Sequence, residues 1–306
     1  SHAMPGCGLV FSRGQLRGAR PNIPKVYAAV EVLAMKRLFA ITAVALAGFV
    51  LAAPAALAAP AVPAAPSVNR SGYAALGDSY SSGVGTRVCQ PSSGACQRSP
   101  LAYPSLAAPL QRRNLTFLAC SGATTADVRS SQIAGVPQDA GLVTITVGGD
   151  DVGFTPVLAA CSASTPAQCA AAVTAGDAAI QQVLPGSLDA MFAMIHTRAP
   201  HAELVVVGYP HLFGSGACNA AGLPPAAART AIDAGTDLLD SVIQERATAA
   251  QATFVDVRPR FNAHGTCAAV LLRWINPPTV PTSDSYHPNI AGQALGYLPA
   301  LLRTSS

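Results

Sequence analysis

Gly77-Asp78-Ser79-Tyr80-Ser81-Ser82-Gly83 decides the reading of this chain, and it follows a short apolar run, Tyr73-Ala74-Ala75-Leu76. The run reads as a buried strand. A serine just beyond it, between Asp78 and a small polar cluster, is lifted out of the sheet with its hydroxyl exposed. Open α/β sheets place reactive groups there, outside the carboxyl ends of parallel strands. A serine alone is a weak nucleophile. It needs a base and a means of holding an oxyanion.

Working outward, four more apolar runs lack polar alternation, as strands covered on both faces do. They are residues 115–118, 142–147, 203–207 and 254–257, beside the first at 73–76. Helical patterns lie between them at 101–112, 153–160, 167–197 (broken at Pro185-Gly186), 225–251 and 289–303. Strands alternating with helices imply an α/β class with a parallel, doubly wound sheet. No internal repeat is visible, and nothing in the pattern demands a second domain.

Length and charge set the bounds. The chain has 306 residues, half of them hydrophobic, enough for one large α/β domain or two small ones. Its formal net charge of +4 is concentrated at the front. Six of the 19 basic residues and one of the 15 acidic ones lie before residue 59, which leaves 13 and 14 in the body. A near-neutral body gives no electrostatic case for nucleic acid.

The front of the chain reads as processing sequence. Residues 1–34 are expected to be a vector-derived scar, Ser1-His2-Ala3-Met4, and an upstream extension. Residues 35–58 carry Met35-Lys36-Arg37, an apolar stretch and Ala56-Leu57-Ala58, the pattern of a cleaved secretory signal peptide. An uncleaved membrane anchor is the competing reading, because the apolar stretch nearly reaches spanning length. Residues 59–70 read as an Ala/Pro-rich linker and 71–306 as the folded body.

The candidate base lies near the other end, in Asp284-Ser285-Tyr286-His287-Pro288-Asn289. Histidine has the unperturbed pKa suited to proton shuttling near neutrality. An acid three residues earlier can fold back and hold the imidazole in one tautomer. On spacing alone, an ordinary loop histidine explains His287 as well. His196, His201, His211 and His264 lack such an arrangement, and no HExxH or CxxC pattern argues for a metal. Two further loops follow strands: Cys120-Ser121-Gly122-Ala123-Thr124 and Gly148-Gly149-Asp150-Asp151. Each taken singly is an unremarked βα turn, but four such loops at strand ends or before the last helix form a constellation.

Those four segments resemble the ordered blocks of the SGNH, or GDSL-type, hydrolase family, over roughly residues 71–303. Gly77-Asp78-Ser79 resembles the serine block and Ser121-Gly122 the glycine block. Gly148-Gly149-Asp150-Asp151 resembles the G-x-N-D block, and Asp284-x-x-His287 the D-x-x-H block. The resemblance is nearest to secreted bacterial lipases and esterases with three disulfides. It implies a three-layer α/β/α sandwich with a parallel, flavodoxin-like sheet. It implies an ester hydrolase that needs no cofactor, with Ser79 as nucleophile, His287 as base and Asp284 orienting His287. The oxyanion hole would comprise the amides of Ser79 and Gly122 and the side chain at position 150. G-x-S-x-G, the nucleophile elbow of another hydrolase class, is absent around Ser79.

Position 150 departs from the family. Asparagine donates through its NH2, whereas an ionised aspartate only accepts. A carboxylate facing an oxyanion repels it, and loss of one such donor typically costs about 100- to 1000-fold in rate. A protonated Asp150 could donate if burial and neighbouring Asp151 raise its pKa. Three readings stay open: a crippling substitution or deamidation, a working aspartic acid with a raised pKa, or a repurposed site that is non-catalytic or acyl-transferring. Asp78 and Asp151 read as loop-fixing acids rather than catalytic ones.

The resemblance also implies the pairs Cys96–Cys120, Cys161–Cys169 and Cys218–Cys267, consistent with an exported protein. Cys89 is then odd, either a free thiol or a competitor for Cys120. The partner expected is a lipid or small-molecule ester, acted on outside the cell by a monomer without a lasting membrane anchor.

Overall fold

The computed structural model describes residues 71–214, 218 and 220–304. The extension, signal peptide and linker expected over residues 1–70 lie outside the described residues. All described residues fall within one compact unit.

The five apolar runs are the five strands: β1 (Gly72–Gly77), β2 (Asn114–Phe117), β3 (Leu142–Thr146), β4 (Glu203–Val207) and β5 (Thr253–Val255). All pair in parallel, in the order β2-β1-β3-β4-β5. β1 and β3 are buried at every residue, and β3 carries two threonines, Thr144 and Thr146, among its apolar residues. Their buried polar side chains are satisfied internally: the Tyr73 hydroxyl lies 2.8 Å from Thr144 Oγ1, and the Tyr103 hydroxyl lies 3.2 Å from Thr146 Oγ1. This strand order reverses beside β1, so the loops after β1 and β3 diverge and leave a crevice at the carboxyl edge.

Helices cover the sheet. In chain order they are α1 (Ser79–Ser82), α2 (Tyr103–Leu110), α3 (Thr125–Asp127), α4 (Phe154–Ala163), α5 (Pro166–Gln182), α6 (Leu184–Arg198), α7 (Ala226–Ala249), α8 (Arg258–Phe261) and α9 (Leu298–Leu302). The long helical pattern at 167–197 does break, but at Val183 rather than at Pro185-Gly186. Pro185 sits in the first turn of α6, where an amide proton has no intrahelical partner to lose. The last pattern, at 289–303, is wider-wound over Gly292–Tyr297 before it tightens into α9. Among the described residues no helix is long and apolar enough to cross a membrane.

Disulfides join Cys96 to Cys120, Cys161 to Cys169 and Cys218 to Cys267. Cys89 is neither a free thiol nor a rival of Cys96: it is itself disulfide-bonded, and Cys96–Cys120 is intact.

Candidate active site

Ser79 is the first residue of α1, and the chain reaches it through a constrained turn. Gly77 has φ +116°, and a Cβ there would lie 2.2 Å from the carbonyl oxygen of Thr146. Only glycine lets the end of β1 press this closely on the end of β3. Gln132 grips Gly77 from the other side, accepting from its amide at 2.8 Å and donating to its carbonyl at 2.9 Å. Asp78 caps α1, its Oδ1 accepting from the Tyr80 amide at 2.9 Å. Ser81 Oγ accepts from the Thr146 amide at 3.0 Å, which fastens α1 to β3. The serine is therefore held by backbone and capping contacts rather than by a long helix.

His287 arrives from the far end of the chain. Its segment is pinned by an antiparallel bridge between Ile275 and Pro288, and the His287 carbonyl accepts from the Asn276 amide at 3.0 Å. His287 Nε2 lies 2.7 Å from Ser79 Oγ, across 208 positions of sequence. Its Nδ1 lies 3.1 Å from the Ser285 carbonyl oxygen. A carbonyl only accepts, so Nδ1 carries the proton and Nε2 is left free to accept from the serine. Burial pulls the imidazole pKa down to about 4, against the opposing effect of the Ser285 and Ser283 carbonyls.

Asp284 does not take the orienting position expected of it. Residues 284–287 form a tight turn, with Ser285 at φ −62°, ψ 137° and Tyr286 at φ +63°. Those angles are those of a type II turn, which ordinarily favours glycine where Tyr286 stands. The turn brings the Ser285 carbonyl to Nδ1. The buried Asp284 carboxylate instead lies beside the Gly85 amide and 3.5 Å from Arg87 Nε. Among the described residues no hydrogen bond joins the Asp284 and His287 side chains. Burial raises the Asp284 pKa, and Arg87 only partly offsets it.

Ser79, Gly122, Asp150 and His287 line one cleft of about 570 Å³. Gly122 lines the cleft at φ +77°, with no heavy atom within 4 Å of where a Cβ would sit. The amides of Ser79 and Gly122 donate to no other group among the described residues. The Gly122 loop is held by the Cys96–Cys120 disulfide and by the Cys120 amide, which donates to the Gly77 carbonyl at 2.9 Å. Phe154, Leu158, Ala159 and Tyr286 give the cleft an apolar wall.

The acids around the cleft differ in their partners. Asp151 accepts from Thr125 Oγ1 at 2.6 Å and from its amide at 2.9 Å, tying α3 to the loop after β3. The Asp150 pKa is raised to about 6, first by burial and then by Asp151 and Asp127. Asp78 is pushed well up by burial and by Asp150, while donors from Tyr209, Tyr80 and Ser81 act the other way. Asp78 and Asp151 thus fix loops, as expected. Tyr209, which donates to Asp78 Oδ2, was missed by the sequence reading. The available signal was its place two residues beyond the end of β4.

Comparison with known proteins adds an independent line. A family model described as "GDSL-like Lipase/Acylhydrolase family" matches residues 75–295. A lipase from Streptomyces rimosus is 41% identical over 235 residues, covering 76% of this chain and 87% of that protein. Lipase 1 of Streptomyces coelicolor is 41% identical over 235 residues, covering 75% and 85%. Among solved structures, a phospholipase A1 from Streptomyces albidoflavus superposes with a TM-score of 0.73 at 40% identity, covering 76% of this chain and 99% of that one. An extracellular lipase from Streptomyces rimosus gives a TM-score of 0.72 at 40% identity, with the same 76% and 99%.

Proposed function

The chain belongs to the GDSL-like lipase/acylhydrolase family and is a carboxylic ester hydrolase, and on that premise we propose that Ser79 and His287 carry the reaction as a dyad. The observation that carries this reading is the 2.7 Å contact between His287 Nε2 and Ser79 Oγ. Ser79 Oγ attacks the ester carbonyl carbon as its proton passes to Nε2. The imidazolium so formed is held through Nδ1–H by the Ser285 carbonyl rather than by a carboxylate. The tetrahedral oxyanion lies among the amides of Ser79 and Gly122 and the side chain of Asp150. Collapse breaks the bond to the alcohol oxygen, which takes the proton from Nε2, and an acyl-enzyme remains on Ser79. Water, activated by the same Nε2, then releases the acid.

Asp150 acts here as a protonated donor. Its raised pKa supports this, because a neutral carboxyl keeps one O–H while an ionised one repels the oxyanion. The crippled reading, by contrast, predicts that Asp150 never donates.

The apolar wall of Phe154, Leu158 and Ala159 suits an acyl chain. Substrates are acyl esters of lipids or small alcohols, phospholipids included. The disulfides and the leader pattern fit an enzyme that works outside the cell as a monomer, with no membrane anchor after cleavage. The test is turnover of p-nitrophenyl esters of graded chain length by the purified protein and by Ser79→Ala and His287→Ala. Both substitutions are expected to abolish turnover. A Ser79→Ala protein as active as the parent defeats the dyad.

A further inference from the structure

Tyr209 is buried just beyond β4. Its backbone is fixed on two sides. Its amide donates to Asp240 Oδ1 of α7 at 2.9 Å, and the carbonyl of preceding Gly208 accepts from the Tyr297 hydroxyl at 3.1 Å. Its ring meets Tyr80 edge-on with centroids 5.0 Å apart, and the Tyr80 ring lies 5.1 Å from the His287 ring. A phenol has one proton to give and lone pairs to accept with. Tyr209 gives its proton to Asp78 Oδ2 and accepts the Gly149 amide at 3.1 Å. Asp78 caps the helix that begins with Ser79, and Gly149 directly precedes Asp150. One oxygen atom is thus shared by the loop that carries the nucleophile and the loop that carries the third oxyanion group.

We propose that Tyr209 is a positioning residue for ester hydrolysis, its hydroxyl setting the separation between the Ser79 loop and the Gly148-Gly149-Asp150 loop. The proposal rests on the ester-hydrolase reading above. Phenylalanine at this position would keep the ring contacts. It would leave the Gly149 amide without an acceptor and the buried Asp78 carboxylate one donor short, so the two loops would relax independently. The cleft would still take up substrate, because Tyr209 contributes to placement of the reacting groups and not to the acyl wall.

The test is Tyr209→Phe on soluble p-nitrophenyl butyrate, with kcat and KM measured separately and thermal unfolding followed alongside. Misplacing reacting groups by about 1 Å costs up to about 100-fold, so kcat is expected to fall on the order of 10- to 100-fold with KM within about twofold. A variant with a lower Tm and an unchanged kcat marks a merely structural residue and overturns the proposal. Should Tyr209→Phe not fold, Asp78→Asn and Asp78→Asn/Tyr209→Phe are compared, since a neutral residue 78 leaves no orphaned charge. The double variant is expected to be about tenfold slower in kcat than Asp78→Asn; equal rates overturn the proposal. An inactive parent protein overturns both this inference and the reading beneath it, whereas an active parent, silenced by Ser79→Ala but indifferent to Tyr209→Phe, overturns the inference alone.

Discussion

Replacing Asp150 with asparagine should change how rate depends on pH more than how large the rate becomes. The dyad needs His287 neutral, which holds above about 4, and the oxyanion hole needs Asp150 protonated, which holds below about 6. Both conditions are met together only between those values, so kcat/KM of the parent is expected to peak near pH 5. Asp150 is faced by Asp151, Asp127 and Asp78, and by the hydroxyls of Tyr80 and Tyr209. No cation among these pulls its pKa back down. At pH 8, about two units above its pKa, only about one molecule in a hundred keeps the proton, and the rate should be about 1% of its maximum. The ionised form cannot fall much further, because loss of one oxyanion donor costs about 100- to 1000-fold.

Asp150→Asn donates at every pH. It should match the parent within a few-fold at pH 5 and exceed it by about 100-fold at pH 8. Its acid limb, set by His287, should stay in place. The assay is initial rate from pH 4 to 9 with the released acid quantified by chromatography after quenching, so that neither the ionisation of the product acid nor that of p-nitrophenol enters the signal. Two results would refute the reasoning. One is a parent rate that is flat from pH 6 to 9. The other is a gain in Asp150→Asn of the same size at pH 5 and pH 8, which means that Asp150 never donates and the residue cripples the site.

Asp284→Asn should lower kcat by less than about tenfold, against about 10⁴-fold for a triad acid, because Asp284 does not touch the imidazole; steady-state kinetics decides. Asp240, buried on α7, has its pKa raised to about 8 by burial, against 3.8 in the unfolded chain. The folded chain holds that proton more tightly, so this contribution to stability is full below about 4 and is lost as pH rises through about 8. Tm should therefore decline over that window, and Asp240→Asn should flatten the decline. Removing Cys96–Cys120, which spans 24 positions, should cost about 3–4 kcal/mol in denaturant unfolding.

The sheet was legible because a parallel strand covered on both faces is predominantly apolar, with a threonine admitted where its hydroxyl finds a buried partner, as at Thr144 and Thr146. The runs at 73–76 and 142–147 have no other easy explanation. The serine, glycine and Gly148–Asp151 loops were legible for a related reason. They follow β1, β2 and β3, which are neighbours in the sheet, so small and glycine-rich turns there converge on one crevice. The break at Val183 was misplaced because proline reads as a helix breaker. Whether it breaks or begins a helix depends on the turn in which it falls.

Two features of the site left no such trace. The group that orients His287 is a backbone carbonyl, and every residue has one. The D-x-x-H spacing says that an acid is near the histidine, but the angles at Ser285 and Tyr286 decide whether side chain or carbonyl meets Nδ1. Tyr209 was hidden differently. An aromatic residue after a buried strand reads as core, and its ring is indeed packed in the core. Its chemistry lies in where the hydroxyl ends, at partners 131 and 60 positions away. Sequence proximity therefore locates the reacting serine and its loops, while the hydrogen bonds that set their spacing come from residues that only the fold brings near. For this reason Asp284→Asn, at a motif position, is expected to matter less than Tyr209→Phe, which belongs to no motif.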